Sequence, residues 1–215
     1  MKYHRARKLI KTGDLLAFQG TWIMSKGIQW FTHSNISHVG VACWINFHCG
    51  YRDNYEICAK ANDCSSKPLL CIFESMEGAN VRVQPLYKTL ETLYWPKGGK
   101  AYWKSLQPNY DGKDLMDFCV EHWIDSYASV YQFLLIASPR LRWLRKFRGG
   151  NVDNVGYHCS ELIATGLKEQ GYDLPKDPPA LITPGDLYNL DCFNPTGVEL
   201  EYSSRKQVFG YRYST

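Results

Sequence analysis

Cys159 has the surroundings in this sequence that best suit a reactive nucleophile. It lies in the stretch NVGYHCSELIATGL, residues 154–167, where a polar segment gives way to apolar residues at helical spacing. Leu162, Ile163 and Leu167 share one face of that helix with Cys159. In the first helical turn, unpaired backbone N–H groups and the positive end of the dipole stabilise a thiolate. The spacing predicts a candidate nucleophile, and a small buried hydrophobic residue is the alternative.

A thiolate nucleophile requires a base, usually histidine, and a third group that orients the base. His38 begins the alternating segment HVGVACWI and shares a strand face with Gly40 and Ala42, whose small size predicts open space above the imidazole. Glu74 closes the apolar run CIFE, where a carboxylate needs a partner or water. The pattern indicates His38 as base and Glu74 as its orienting group. The alternatives are a hydrogen-bonded histidine at a sheet end and a carboxylate that faces solvent.

Patterns typical of strands precede most of the helical patterns along the chain. The segments predicted as strands are TGDLLAFQG, ISHVGVACWI, LLCIFES, VRVQPL, KAYWKSL and KQVFGYRY. The segments predicted as helices are WIMSKGIQWFTH, KDLMDFCVEHWIDSY with the stripe Leu115, Phe118, Cys119 and Trp123, the segment from Cys159, and TPGDLY. This order predicts an α+β fold with a mostly antiparallel sheet.

The bulk properties describe a globular chain of ordinary charge. It has 215 residues, 45% of them hydrophobic and 14% aromatic, and a net charge of +4. That length favours one domain, and the charge does not indicate a nucleic-acid partner. The basic start lacks the apolar core of a secretory signal, so we expect a cytoplasmic protein, in a host cytoplasm or virion if the source is viral. The eight cysteines are then expected to be reduced thiols.

Five patches together resemble the circularly permuted papain-like proteins of the NlpC-type superfamily. The patches are TGDLLAFQG, SHVGVAC, FESMEGANVRVQPL, YHCSELIATGL and TPGDLY. The branch concerned holds the bacterial YiiX-like proteins and a poxvirus relative, and the lecithin:retinol acyltransferase-like enzymes are more distant members. In this branch the histidine strand precedes the cysteine helix, which matches His38 before Cys159.

The resemblance implies a fold, a domain and a set of roles. It implies one catalytic domain over residues 1–215, with insertions at about 46–68 and 111–150, and a barrel-like, mostly antiparallel sheet packed against the cysteine helix. It implies Cys159 as nucleophile, His38 as general base and Glu74 as the group orienting His38. Asp14 matches a structural position of the family. Tyr157 is a candidate for polarising the substrate carbonyl, and the backbone N–H of Cys159 is a more natural oxyanion donor.

The leading functional hypothesis is a cysteine peptidase or amidase, a thiol hydrolase without a cofactor. By resemblance it cleaves an amide bond in a peptide, with a cell-wall peptide as one substrate. The alternative within enzymes is a lipid acyl hydrolase or acyltransferase of the same fold. The alternative outside enzymes is a catalytically silent binding or virion-associated protein.

Two further groups of residues suggest binding. A basic amphipathic segment is suited to an anionic membrane surface, although a solvated surface helix has the same pattern. Its cations are Arg140, Arg142, Arg145, Lys146 and Arg148.

A cysteine cluster near His48 raises the alternative of a metal module. Its members are Cys49, Cys58, Cys64 and Cys71. Their spacing lacks the close pairs of a zinc site, so we predict no metal.

Overall fold

The structure is a computed structural model, and it describes residues 1–45, 68–76, 80–122, 157–204 and 207–208. Its strands are β1 Leu15–Gln19, β2 His38–Ile45, β3 Leu69–Met76, β4 Asn80–Pro85, β5 Lys100–Lys104 and β6 Val198–Glu199. Its α-helices are α1 Tyr3–Ala6, α2 Ile23–Thr32, α3 Leu86–Thr89, α4 Gly112–Glu121, α5 Cys159–Glu169 and α6 Pro184–Tyr188. A π-helical turn, Leu90–Tyr94, continues α3, and 3-10 turns occupy Trp95–Lys97 and Pro179–Leu181.

The six strands form one sheet in the order β4-β3-β2-β1-β5-β6, and every neighbouring pair is antiparallel. The predicted α+β class with a mostly antiparallel sheet is therefore confirmed. The barrel-like closure is not found: within the described ranges β4 and β6 are the two edges of an open sheet. β6, at one of these edges, has only two residues.

The sheet is covered on both faces. On one face Val39, Val41 and Cys43 of β2 pack in a core with α4 and α5. On the other face Ala42 packs in a core with α1 and α3. This alternation along β2 agrees with the sequence pattern. It also explains the uninterrupted apolar run in β3, because a strand with both faces covered needs apolar residues at successive positions.

Helix α5 is held against the sheet by the predicted stripe. Leu162, Ile163 and Leu167 are each at most 1% exposed. A Cβ added at Gly166 would lie 2.8 Å from side-chain carbons of both Leu115 and Phe118, so this glycine lets α4 pack closely on α5. The packing fixes the direction of α5 and the position of its first residue, Cys159.

Asp14 ties the start of β1 to the segment after β5. Its carboxylate accepts hydrogen bonds from Trp103 Nε1 at 2.7 Å, Leu106 N at 3.0 Å and Lys11 N at 2.8 Å. Burial raises the pKa of this carboxyl even though the three donors oppose the shift. These contacts are those of a structural residue.

Three sequence predictions fall wholly or partly outside the described residues. The insertion at 46–68 lies outside them except for Pro68, and of the insertion at 111–150 only residues 111–122, which contain α4, are described. The predicted closing strand KQVFGYRY is described only at Gln207 and Val208, which are helical rather than extended. Of the described helices, none has the length and apolar character needed to cross a bilayer.

Candidate active site

A cavity of 360 Å³ opens at the end of the sheet where β1 ends, β2 begins and β3 ends. His38 and Cys159 both line it, as do Tyr94 and His158. Much of the remaining lining is apolar and comes from Trp22, Met24, Ile28, Met76 and Leu93. Residues from the first and last thirds of the chain therefore meet at one cavity.

The His38 side chain is held by Glu74. His38 Nε2 donates to Glu74 Oε2 at 2.7 Å, and Glu74 is 1% exposed. Because Nε2 is engaged by the carboxylate, Nδ1 is the ring nitrogen left to exchange a proton with another group. The imidazole orientation is thus fixed by a buried acceptor.

The second oxygen of Glu74 is held by β4. Arg82 Nε and Nη2 donate to Glu74 Oε1 at 3.0 and 2.8 Å, and Gln84 Nε2 donates to the same atom at 2.9 Å. Arg82 reaches it because it lies directly opposite Glu74 in the β3–β4 register. Burial alone would raise the pKa of Glu74, but the contacts with His38 and Arg82 outweigh it and lower the pKa. Glu74 is therefore ionised at neutral pH.

Cys159 is the first residue of α5, is 5% exposed, and its sulfur neighbours the His38 imidazole. Burial alone would lower the pKa of His38. The charge of Cys159, the polar contact with its sulfur and the Glu74 carboxylate outweigh burial and raise the pKa to about 10. The contact therefore places the Cys159 sulfur directly beside a base, at the first residue of a helix.

His158, the residue before Cys159, caps α5 and does not serve as a second base. Its Nδ1 accepts from Glu161 N at 3.3 Å and its Nε2 donates to Ala180 O at 3.1 Å. Burial lowers the pKa of His158 to about 4, so the ring is neutral. Glu161 Oε2 accepts from His158 N at 3.4 Å, which completes a capping box. The glutamate three residues beyond His158 is the sequence signal that could have identified this cap.

Tyr94 was not singled out by sequence reasoning. It lies in the π-helical turn, lines the cavity, and its ring stacks on Phe18 with 4.4 Å between centroids. Burial raises the pKa of Tyr94, and the charges of Glu74 and Cys159 raise it further. Its phenol is therefore neutral and close to both side chains.

Two expectations about the neighbourhood of His38 and Cys159 are not met. The Tyr157 ring packs edge-on against Phe118 and His122 of α4, with centroid distances of 6.4 and 5.2 Å, and Tyr157 is not among the residues that line the cavity. This placement argues against Tyr157 polarising a substrate carbonyl. The open space expected at Gly40 is filled, because a Cβ there would lie 2.6 Å from Ile72 Cδ1.

The other predicted binding groups are described only in part. Arg140, Arg142, Arg145, Lys146 and Arg148 lie outside the described residues, as do His48, Cys49, Cys58 and Cys64. Cys71 is described; it lies opposite Cys43 in the β2–β3 register, and burial raises the pKa of its thiol to about 12. Within the described ranges, no group of three or more His, Cys, Asp or Glu side chains is placed to hold a metal ion.

Comparison with known proteins finds a likeness in structure and none in sequence. No family model matches the chain, and no curated protein matches it in sequence. The fold is similar to the crystal structure of the metalloprotein YiiX from Escherichia coli O157:H7, with a TM-score of 0.49 and 17% sequence identity. The likeness covers 93% of this chain and 92% of that chain.

Proposed function

We propose that the protein is a cysteine-dependent acyl hydrolase with Cys159 as nucleophile, His38 as general acid and base, and Glu74 as the residue that positions His38. The observation that carries this proposal is the unbroken series of contacts from Cys159 through His38 to Glu74 at one cavity. Glu74 is itself fixed by Arg82 and Gln84. A nucleophile, a base and an orienting group in contact are the elements that nucleophilic acyl transfer requires.

The reaction proceeds in two halves. The proton that Cys159 and His38 share lies on His38 Nδ1 while the Cys159 sulfur attacks the substrate carbonyl carbon, and this attack gives a tetrahedral intermediate. The N–H of Cys159 at the helix start is suited to donate to the oxyanion. His38 then protonates the leaving amine or alcohol, and a thioester forms on Cys159. In the second half His38 takes a proton from water, the hydroxide attacks the thioester, and the carboxylic acid and free Cys159 are released.

The cavity lining bears on the choice between an amide and a lipid substrate. Trp22, Met24, Ile28, Met76 and Leu93 give it an apolar wall, which suits an acyl chain better than a charged peptide. This observation favours the second candidate function, hydrolysis or transfer of a lipid acyl group, over cleavage of a cell-wall peptide. A silent binding protein remains the alternative outside enzymes, and the ordered contacts of Glu74 favour activity over that reading.

We also infer that the chain has the permuted arrangement of the papain-like fold. The strand that carries His38 comes first, the strand that carries Glu74 follows, and the helix that begins at Cys159 comes last. This order is the one that the resemblance implied. Its support is the order of elements together with the contacts of His38 with Glu74 and with Cys159.

A substrate panel tests the proposed function. Purified protein is incubated with p-nitrophenyl esters of increasing acyl length, a phospholipid, an N-acyl amide and a cell-wall peptide, and product is measured by absorbance or mass spectrometry. We expect turnover of acyl substrates, with kcat/KM rising with chain length because the chain occupies the apolar cavity. Preference for the peptide would select the amidase alternative, and no turnover of any substrate would contradict the hydrolase.

The dependence of kcat/KM on pH is expected to show the raised pKa of His38. The leaving group needs the imidazolium proton, so kcat/KM of the parent is expected to fall near pH 10. Glu74→Gln removes the carboxylate charge and is expected to move that alkaline limb down by about one pH unit or more. Initial rates across the pH range check this. A parent limb near 6.5, the ordinary pKa of histidine, would contradict the effect of Cys159 and Glu74 on His38.

A further inference from the structure

Helix α2 turns Ser25 and Gln29 toward the protein and leaves two of its large apolar side chains, Ile23 and Trp30, largely exposed to solvent. Gln29 Nε2 donates to Gly20 O at 2.9 Å. Ser25 packs so closely on Gly20 that a Cβ there would lie 2.2 Å from its Oγ. By contrast, Ile23 is 91% exposed and Trp30 is 70% exposed. A helix that packs only on a protein core has the opposite arrangement.

Four large apolar side chains on and beside α2 are exposed, and we call them together the α2 patch. Its members are Trp22, Ile23, Met24 and Trp30, and the exposed fractions of Trp22 and Met24 are 59% and 48%. No residue of α2 is buried. Single exposed apolar residues are ordinary, but four large ones on and beside one helix mark a surface that contacts something apolar.

The α2 patch borders the mouth of the cavity. Trp22 and Met24 belong to the patch and also line the cavity that holds Cys159 and His38. Ile28, one turn further along α2, lines the same cavity. An apolar partner on the α2 patch would therefore lie next to the opening that leads to Cys159.

Two lysines accompany the α2 patch. The described residues from Leu15 to Ile45 include no Asp or Glu, and Lys26 is an exposed residue of α2. Lys97 Nζ lies 3.7 Å from the centroid of the Trp22 ring, which places a cation at the edge of the patch. Tryptophan, aliphatic side chains and lysine together suit the interface between acyl chains and anionic headgroups.

We propose that the α2 patch docks on the surface of a bilayer that contains anionic lipids. Ile23 and Trp30 enter the boundary between headgroups and acyl chains, and Lys26 and Lys97 face the headgroup phosphates. The docked orientation brings the cavity mouth to the depth where lipid acyl groups are found. The delivery of an acyl substrate to Cys159 rests on the proposed function, whereas the membrane contact itself does not.

Vesicle binding tests this contact. The full chain is sedimented with vesicles of phosphatidylcholine alone and with vesicles of equimolar phosphatidylcholine and phosphatidylglycerol, and tryptophan emission is recorded. We expect binding to the mixed vesicles at least about tenfold stronger than to phosphatidylcholine alone, weakened by salt and accompanied by a blue shift. Ile23→Asp is expected to lower that binding about tenfold or more. The matched control is Leu9→Asp, since Leu9 is 53% exposed and lies outside the patch; it is expected to bind like the parent.

The outcomes separate this inference from the proposed function. Cys159→Ala is expected to bind vesicles like the parent, so loss of hydrolysis with binding retained leaves the membrane contact standing. The inference is overturned if the parent binds neither vesicle, or if Ile23→Asp and Leu9→Asp lose binding equally. It is also overturned if the parent self-associates through a contact that Ile23→Asp abolishes and does not bind lipid, because the occupant would then be a second copy of the chain. Thermal unfolding of each variant checks that it is folded.

Discussion

The Cys159→Ala variant is expected to lose hydrolysis of every acyl substrate that the parent turns over, with kcat/KM lowered by about 10⁴-fold or more. The reason is that no acyl-enzyme can form without the sulfur, and His38 alone has no nucleophile to activate. Steady-state rates on the best substrate of the panel measure the loss. Mass spectrometry of the parent, quenched during turnover, should show the acyl group on the peptide that contains Cys159.

Cys192→Ala is the matched control for this result. Cys192 is also a buried free thiol, 1% exposed, and burial raises its pKa to about 12. Its thiol is protonated and is not among the residues that line the cavity. We expect its removal to change kcat/KM less than about threefold. Hydrolysis by Cys159→Ala at the parent rate would end the proposal of a thiol nucleophile.

The Glu74→Gln variant is expected to lose both stability and activity. A neutral amide removes the anion that Arg82 and His38 contact in a buried site, which costs about 3 kcal/mol of unfolding free energy. A glutamine that still accepts from Arg82 would turn its own N–H groups toward His38, so that the wrong tautomer of the imidazole faces Cys159. By that route kcat/KM is expected to fall by about 10²–10⁴-fold. Chemical denaturation and initial rates measure the two effects.

The stability effect of Glu74 has a defined pH dependence. Its pKa is lower in the folded protein than the ordinary 4.5. Its ionic contribution is therefore present above about pH 4.5 and is lost as the pH falls through the folded value. The difference in unfolding free energy between the parent and Glu74→Gln should shrink below that pH. A difference that stays constant into acid would show that the carboxylate charge is not what stabilises the site.

Glu199→Gln is the control for Glu74→Gln. Glu199 pairs with Lys100 at 3.2 Å, but the two side chains are 43% and 49% exposed. Water screens such a pair, so the same chemical change is expected to leave the unfolding free energy nearly unchanged. If the two glutamine variants were equally destabilised, burial of the Glu74 network would not be the cause.

The sequence predicted the helix and the strand that carry the site residues better than it predicted the contacts between their side chains. The stripe after Cys159 and the alternation in β2 are local patterns, so α5 and β2 were predicted close to where they lie. The pairing of His38 with Glu74 depends on the register between β2 and β3, which local periodicity does not determine. The resemblance to permuted papain-like proteins supplied that pairing as an expectation, and the structure brings the two side chains to 2.7 Å.

Other features depend on packing between distant segments. Arg82 and Gln84 alternate with apolar residues in β4, a pattern that is equally typical of solvent-facing positions. Tyr94 lies in a π-helical turn without a recognised sequence signal. Tyr157 was expected near the substrate because it is close to Cys159 in sequence, but its ring direction is set by α4. The mixed apolar spacing of α2 predicted a helix, yet not that its apolar side would face outward.

The most direct test of the central claim, that His38 and Cys159 act as one pair, is the alkylation rate of each cysteine at neutral pH by iodoacetamide, followed by peptide mass spectrometry. Cys159 is expected to react at least about tenfold faster than Cys43, Cys71, Cys119 and Cys192, because burial raises the pKa of those four thiols. His38→Ala is expected to slow Cys159 by about tenfold or more, since the variant lacks the base that contacts the sulfur. If Cys159 reacts no faster than those thiols and its rate is the same in His38→Ala, the pair does not exist as described.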